Sequence, residues 1–176
     1  MFESLKKKYA HFVIRKKYLK KDVKQINYNS ILSEATDFLF IMPKEDKDFY
    51  HALDILRYFL IHKKIITLFL PEHKYNLIPE KEKYKFISYL PEQINRFFLP
   101  TLMLREGLKN KEFDAVIDLN RTEDIFFSAI ANTVGSKVRV AFSRNSLSNY
   151  YNLLIMDRNT DGELAYRSFL TYLKMF

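Results

Sequence analysis

The chain has 176 residues and no cysteine, and apolar residues make up 48% of it. This length fits one ordinary domain with at most an appendage, and the apolar content is enough for a hydrophobic core. The lack of cysteine excludes disulfide scaffolds, thiolate zinc sites and cysteine nucleophiles. No apolar run approaches the roughly 20 residues that cross a bilayer, and the run near the start is too short for a signal peptide. We therefore expect a cytoplasmic protein without a transmembrane segment, at most peripheral at the inner face of the membrane.

The formal charge of +8 is concentrated at the start of the chain. Residues 1–24 carry nine basic and two acidic side chains, whereas residues 25–176 carry 20 basic and 19 acidic ones. The sequence therefore predicts a basic appendage, residues 1–24, joined by a connection at residues 25–36 to a nearly neutral domain at residues 37–176.

Apolar side chains at helical spacing predict an amphipathic helix over residues 3–20. They are Phe2, Leu5, Tyr9, Phe12, Val13 and Leu19. Three interpretations stay open: the apolar stripe packs on the domain and leaves the lysines in water, or the helix binds a membrane surface, or it contacts nucleic acid or a ribosome. The side chains that would hold an anionic surface are Lys6, Lys7, Lys8, Arg15, Lys16, Lys17, Lys20 and Lys21.

Beyond a short helical turn near residues 31–34, strand-length apolar runs alternate with helical segments. The predicted strands are 37–42, 64–70, 84–90, 113–119, 137–142 and 151–156, and the predicted helices are 48–62, 100–109, 124–134 and 162–176. Gly135 is expected to end the helix before it. The alternation is typical of βαβ units, so we expect a single Rossmann-like, three-layer α/β domain with a mostly parallel sheet of about six strands.

The common nucleotide and metal motifs are missing from the sequence. The three glycines, Gly107, Gly135 and Gly162, form neither a GxGxxG fingerprint nor a phosphate loop. No GxSxG elbow or HExxH helix is present. His62 and His73 lie on either side of a predicted strand, which breaks their helical register with His51. We therefore expect no cofactor and no metal site.

Three polar turns follow predicted strands, at the edge where open α/β sheets bind ligands. The candidate ligand-binding or acid–base side chains are Lys44 and Asp48 in the first turn, Asn120 and Arg121 in the second, and Arg144 and Asn145 in the third. The alternative is a purely local role. Asp46 or Asp48 would then cap the following helix, Thr122 or Asp124 would cap the next one, and the third turn would be plain.

Two stretches resemble the lipopolysaccharide heptosyltransferases of glycosyltransferase family 9. Residues 113–144, FDAVIDLNRTEDIFFSAIANTVGSKVRVAFSR, are similar to a strand of the type YDLVIDLQ, a helix, and a strand of the type A-K-x-R-x-G-F. Residues 38–59, FLFIMPKEDKDFYHALDILRYF, resemble the first strand of the family and its GDVLHALPAL turn and helix. Order and spacing agree over about residues 37–157, so the resemblance implies the N-terminal, acceptor-side domain of that family.

The resemblance also implies roles for individual residues. Matching His51-Ala52-Leu53 to the HAL of the family places Asp48 where the family has the general base for the acceptor hydroxyl, with His51 beside it. Asn120 falls where a glutamine is common. Lys47 replaces the glycine before the aspartate, and Ala141 replaces the glycine before the last phenylalanine.

Enzymes of this family place the active site between two Rossmann-like domains, and this sequence ends about where the second would begin. General-base help is worth little without an oriented electrophile. We therefore expect a stand-alone binding or scaffolding module that is not independently catalytic and has a protein partner or forms a homo-oligomer. One alternative is half of a glycosyltransferase for a lipopolysaccharide-type or other sugar acceptor, with a donor-binding partner. The other is a peripheral membrane or RNA-binding protein that uses the basic helix.

Overall fold

The computed structural model describes residues 2–19, 30–144, 149–156 and 159–176. Their helices are α1 Phe2–Lys17, α2 Ile31–Glu34, α3 Asp46–Ile61, α4 Leu102–Leu108, α5 Ile125–Thr133 and α6 Gly162–Leu173. Their strands are β1 Asp37–Ile41, β2 Ile65–Pro71, β3 Lys85–Tyr89, β4 Glu112–Asp118, β5 Gly135–Phe142 and β6 Leu153–Ile155.

The six strands form one sheet in the order β3-β2-β1-β4-β5-β6, and every neighbouring pair is parallel. The chain starts in the middle at β1, moves outward to β3, and returns to β4 on the other side of β1. This confirms the predicted Rossmann-like α/β fold. The direction of strand addition reverses between β1 and β4, and their carboxyl ends are where such folds bind ligands.

Helices cover both faces of the sheet, as continuous apolar strands require. On one face α3 and α6 pack against side chains such as Phe40 and Val140. On the other face α1, α4 and α5 enclose side chains such as Leu39 and Phe69. The connection from β2 to β3 is made of 3₁₀ turns, Glu72–Leu77 and Lys81–Lys83, and not of an α-helix.

Two sequence-based expectations are wrong at the level of single residues. The first helix ends at Lys17 and not at residue 20, because the amides of Tyr18 and Leu19 both donate to the carbonyl of Ile14 and the helical ladder stops. Gly135 does not end α5; it is the buried first residue of β5. Its missing side chain leaves room for the carboxylate of Glu112 on the neighbouring strand.

Only part of the predicted apolar stripe of α1 packs on the domain, where Val13 and Leu19 lie partly buried against the core. The buried side chains are Ala10, Ile14 and Tyr18, whereas Leu5 and Phe12 are 58% and 56% exposed. Both sets recur at helical spacing, so the pattern alone does not say which one faces the protein. The small Ala10 side chain is compatible with a close approach of α1 to α5, the helix it contacts.

Candidate functional site

The candidate site lies at the carboxyl ends of β1, β4 and β5, where Asn120 joins two strand ends. The side-chain oxygen of Asn120 accepts the backbone N–H of Lys44 at 2.9 Å. Its amide donates to Asp118 Oδ1 at 2.8 Å and to the carbonyl of Met42 at 3.3 Å. Asn120 is only 3% exposed. Its hydrogen bonds therefore hold the β1 and β4 turns together.

A buried ion pair links β4 to the end of β5, and it joins the candidate Arg144 to Asp118, which was not a sequence-based candidate. Asp118 is fully buried and accepts the hydroxyl proton of Tyr151 at 2.6 Å. The Arg144 side chain is 6% exposed, and its Nη1 lies 3.6 Å from Asp118 Oδ2. Within the described residues, the guanidinium nitrogens have no hydrogen-bond partner. Burial first, and then the negative charge of Asp118, raise the pKa of Tyr151 well above its ordinary value, so its hydroxyl stays a donor.

Asp48, the candidate general base, forms a second ion pair at this edge. Its Oδ1 lies 3.5 Å from Arg121 Nη1, and the two side chains are 13% and 21% exposed. Arg121 also donates to the carbonyl of Asn159 at 2.7 Å. The first turn of α6 stands against Asp48, because a Cβ on Gly162 would lie 3.3 Å from Asp48 Oδ1 and 3.1 Å from His51 Cδ2.

Tyr166 of α6 interacts electrostatically with both ion pairs and was not a sequence-based candidate. It is 2% exposed, and its hydroxyl donates to the carbonyl of Leu119. Burial chiefly, with Asp48 and Asp118 next, raises its pKa, against the opposing charges of the two arginines. The Tyr166 hydroxyl therefore stays neutral and keeps donating to the Leu119 carbonyl.

The turn after β1 is held by Lys74, a lysine from the β2–β3 connection that is 2% exposed. Its ammonium lies 2.8 Å from Asp46 Oδ1, donates to the carbonyl of Lys44, and stands 4.9 Å from the centre of the Phe49 ring. The hydrogen bond from Lys74 is the main reason that the pKa of Asp46 is lowered. The Lys74 ammonium thus binds the backbone carbonyls of the turn after β1.

The alternative that a polar side chain of the turn caps the following helix is wrong for the first turn and confirmed for the second. Neither Asp46 nor Asp48 caps α3, whose N-cap is Glu45 without a side-chain bond. Asp124 does cap α5, accepting the N–H of Phe126 at 2.8 Å. Lys44 is exposed at the edge, and Asn145 lies outside the described residues.

A shallow depression lies between α3 and α6, beside this edge. Its lining includes His51, Asp54, Glu163 and Tyr166, and its cavity volume is about 30 Å³. Ligand pockets have volumes of about 300–1,000 Å³, so this depression is far smaller than a preformed sugar site. In the part of the chain that the structure describes, no group of three His, Asp or Glu side chains is placed to hold a metal ion.

No family model, curated protein or solved structure matches this chain. The glycosyltransferase resemblance therefore rests on the residues quoted from the sequence. Among the described residues, none of the helices combines the length and apolar character that crossing a bilayer demands.

The basic side chains of α1 lie on the opposite face of the sheet from α3 and α6. Lys7, Lys8, Arg15, Lys16 and Lys17 are exposed and Lys6 is half-buried, whereas Lys20 and Lys21 lie outside the described residues. The structure thus separates the strand-end candidates from the basic candidates.

Proposed function

We propose that this chain is a glycosyltransferase-like domain without independent catalytic activity that serves as a binding or scaffolding module. One observation carries the proposal: the charged side chains at the carboxyl edge bind one another. Asp48 pairs with Arg121, and Asp118 pairs with Arg144, in both cases with little exposure.

The surroundings of Asp48 also support a structural role. A general base must come within about 2.6–3.2 Å of the proton that it removes, directly or through one water. The backbone of Gly162 and the ring of His51 already occupy one side of the carboxylate. Arg121 occupies another side, so an acceptor hydroxyl would compete with the ion pair that joins α3 to the turn after β4.

The proposal predicts that Asp48→Asn lowers the free energy of unfolding by about 1 kcal/mol, because Arg121 loses a partly buried partner. A carboxylate kept for catalysis often behaves in the opposite way, since active-site residues trade stability for activity. The measurement is urea denaturation followed by circular dichroism.

The matched control is Asp54→Asn on the same helix. Asp54 pairs with Arg57 at 2.9 Å, but both side chains are well exposed, so this change should cost less than about 0.5 kcal/mol. An Asp48→Asn protein at least as stable as the unaltered chain would contradict the proposal. So would saturable chemical-shift changes at Asp48, His51 and Asn120 on titration with a lipopolysaccharide-type sugar acceptor, which would favour the half-glycosyltransferase alternative.

A further inference from the structure

We propose that the outward face of α1 binds the surface of an anionic lipid membrane. By outward face we mean Leu5, Tyr9 and Phe12 with the basic side chains beside them. The inference rests on the proposed function in that it names the binding surface and partner of that module. It concerns the face of the sheet opposite α3 and α6, so the Asp48 experiment and the one below can fail separately.

The domain holds α1 mainly by one side. Ala10 and Ile14 are fully buried and Tyr18 is 7% exposed, all in the core that α1 shares with α5. His11 adds a hydrogen bond of 2.6 Å to the hydroxyl of Tyr150. These contacts fix which side of α1 faces away from the protein.

The side of α1 that faces away is apolar along its centre. Leu5, Tyr9 and Phe12 are 58%, 50% and 56% exposed. The ring of Tyr9 contacts the Phe97 ring, with 4.7 Å between the ring centres. At 3.6 residues per turn, these three side chains fall within about 60° of one another around the helix axis. They form a stripe opposite the buried one, with no described part of the domain covering most of it.

Basic side chains border this stripe. The helix carries six lysines and arginines and one acid, Glu3. Lys8 and Arg15 project on the flank next to Phe12, whereas Lys17 projects nearer the buried side, by the same helical geometry. The ammonium of Lys16 stands 5.3 Å from the centre of the Phe12 ring, so a long aliphatic stem lies over the apolar stripe and ends in a charge.

This combination fits a lipid surface better than a nucleic acid. A helix lying in the membrane interface places large apolar side chains among the acyl chains while flanking lysines meet anionic headgroups. Leu5 offers a phosphate backbone or a base nothing specific, and five of the six basic residues are lysines, which lack the planar fork with which arginine grips phosphate. The charge complementarity and the exposed stripe thus point to the same partner.

The experiment uses the full chain and vesicles of phosphatidylglycerol and phosphatidylcholine in equal parts, with pure phosphatidylcholine vesicles for comparison. Co-sedimentation should show binding to the anionic vesicles that weakens as salt rises. The double variant L5S/F12S should reduce the partition coefficient at least tenfold. The double variant K8Q/R15Q should reduce it about 25-fold, since each basic residue near an anionic surface contributes roughly fivefold.

The matched controls change the same kinds of residue on other surfaces. Ile61 and Leu164 are 76% and 51% exposed on α3 and α6, so I61S/L164S should bind vesicles like the unaltered chain. K63Q/K85Q removes two exposed charges away from α1 and should have less than a twofold effect. Circular dichroism verifies that each variant is folded, which the exposure of the altered side chains leads us to expect.

Three results would overturn the inference. The first is an absence of binding to anionic vesicles by the folded chain. The second is vesicle binding that L5S/F12S leaves unchanged, since charge alone would then account for it. The third is tight, salt-sensitive binding of a single-stranded RNA oligonucleotide without vesicle binding, which would assign the lysines of α1 to nucleic acid.

Discussion

The two terminal helices, α1 and α6, are both amphipathic but use their apolar residues in opposite ways. α6 buries Phe169 and Leu173 in the core beneath β1, β4 and β5, although Leu164 in its first turn is exposed. α1 buries Ala10 and Ile14 and leaves Leu5 and Phe12 more than half exposed. Periodicity therefore predicts that a helix has an apolar face, but it does not predict that this face is the one that packs on the domain.

The surroundings of the two helices also differ in how their charged side chains are used. Near α6, the charges of Asp48 and Asp118 are paired within the protein and largely shielded from water. On α1, the lysines are in water and outnumber the acids. The first arrangement stabilises the strand ends, whereas the second leaves a charged surface available to a partner.

The largest expected effect comes from matching phenylalanines on the two helices. Phe169 is fully buried, with its ring centre 4.2 Å from that of Phe142, so Phe169→Ala should cost about 3–5 kcal/mol of unfolding free energy. Phe12→Ala removes the same atoms from an exposed position and should cost less than about 0.5 kcal/mol. Urea denaturation measures both changes. Similar losses for the two variants would mean that the outward face of α1 is packed in solution.

A somewhat smaller effect is expected at the buried pair beside α6. Asp118→Asn leaves the guanidinium of Arg144 buried without its counter-charge, which should cost about 3 kcal/mol. The second change Arg144→Met, made in that background, should restore most of the loss. The exposed pair Glu106 and Lys109 provides the control, since Glu106→Gln should be nearly neutral. A lack of coupling between Asp118 and Arg144 in this cycle would show that the edge is held by other contacts.

The smallest expected effect is a pH dependence of α1 docking. Burial lowers the pKa of His11 below its ordinary value of 6.5, with the charges of Arg15 and Lys7 acting in the same direction and Glu123 opposing. The folded state thus favours the neutral ring. The stability that the neutral His11 ring contributes to the folded state is complete above pH 6.5. It is lost as the pH falls below 6.5 and through the lowered pKa of His11.

Amide hydrogen exchange can detect this loss locally. After correction for the intrinsic rate, α1 amides should exchange about two- to fivefold faster at mildly acidic pH, while α6 amides serve as an internal reference. His11→Gln should remove the pH dependence. Equal acceleration in both helices would mean that the whole domain loosens and that His11 has no special part.

Much of the fold could be predicted because it depends on local patterns. Strand-length and helical segments alternate, with prolines and polar turns between them, and the strands are largely apolar along their length. Such strands must be covered by helices on both faces, so the pattern predicts a parallel α/β sheet. The Asp124 cap was one of two candidates in its turn and is formed by the residue's own neighbours. Such features need no knowledge of distant residues.

The candidate site could be predicted only in part. Asn120 and Arg144 were expected at strand ends, and they lie there. Asp118 stands inside an apolar run, and an aspartate near the carboxyl end of a buried strand is itself a signal of a buried polar contact. Tyr166 lies within the predicted helix 162–176, and no local pattern marks its contacts with the two ion pairs.

The sequence by itself determined the class of the fold, the order of its elements and the concentration of charge in the first helix, because period, length and composition are properties of neighbouring residues. Only the tertiary structure decided that Asp48 meets Arg121, that Tyr166 interacts with both ion pairs, and that Leu5 and Phe12 face away from the domain. These outcomes depend on which distant segments the sheet brings together. Neither the apolar stripe of a helix nor a charged side chain specifies by local sequence which distant residue it will contact.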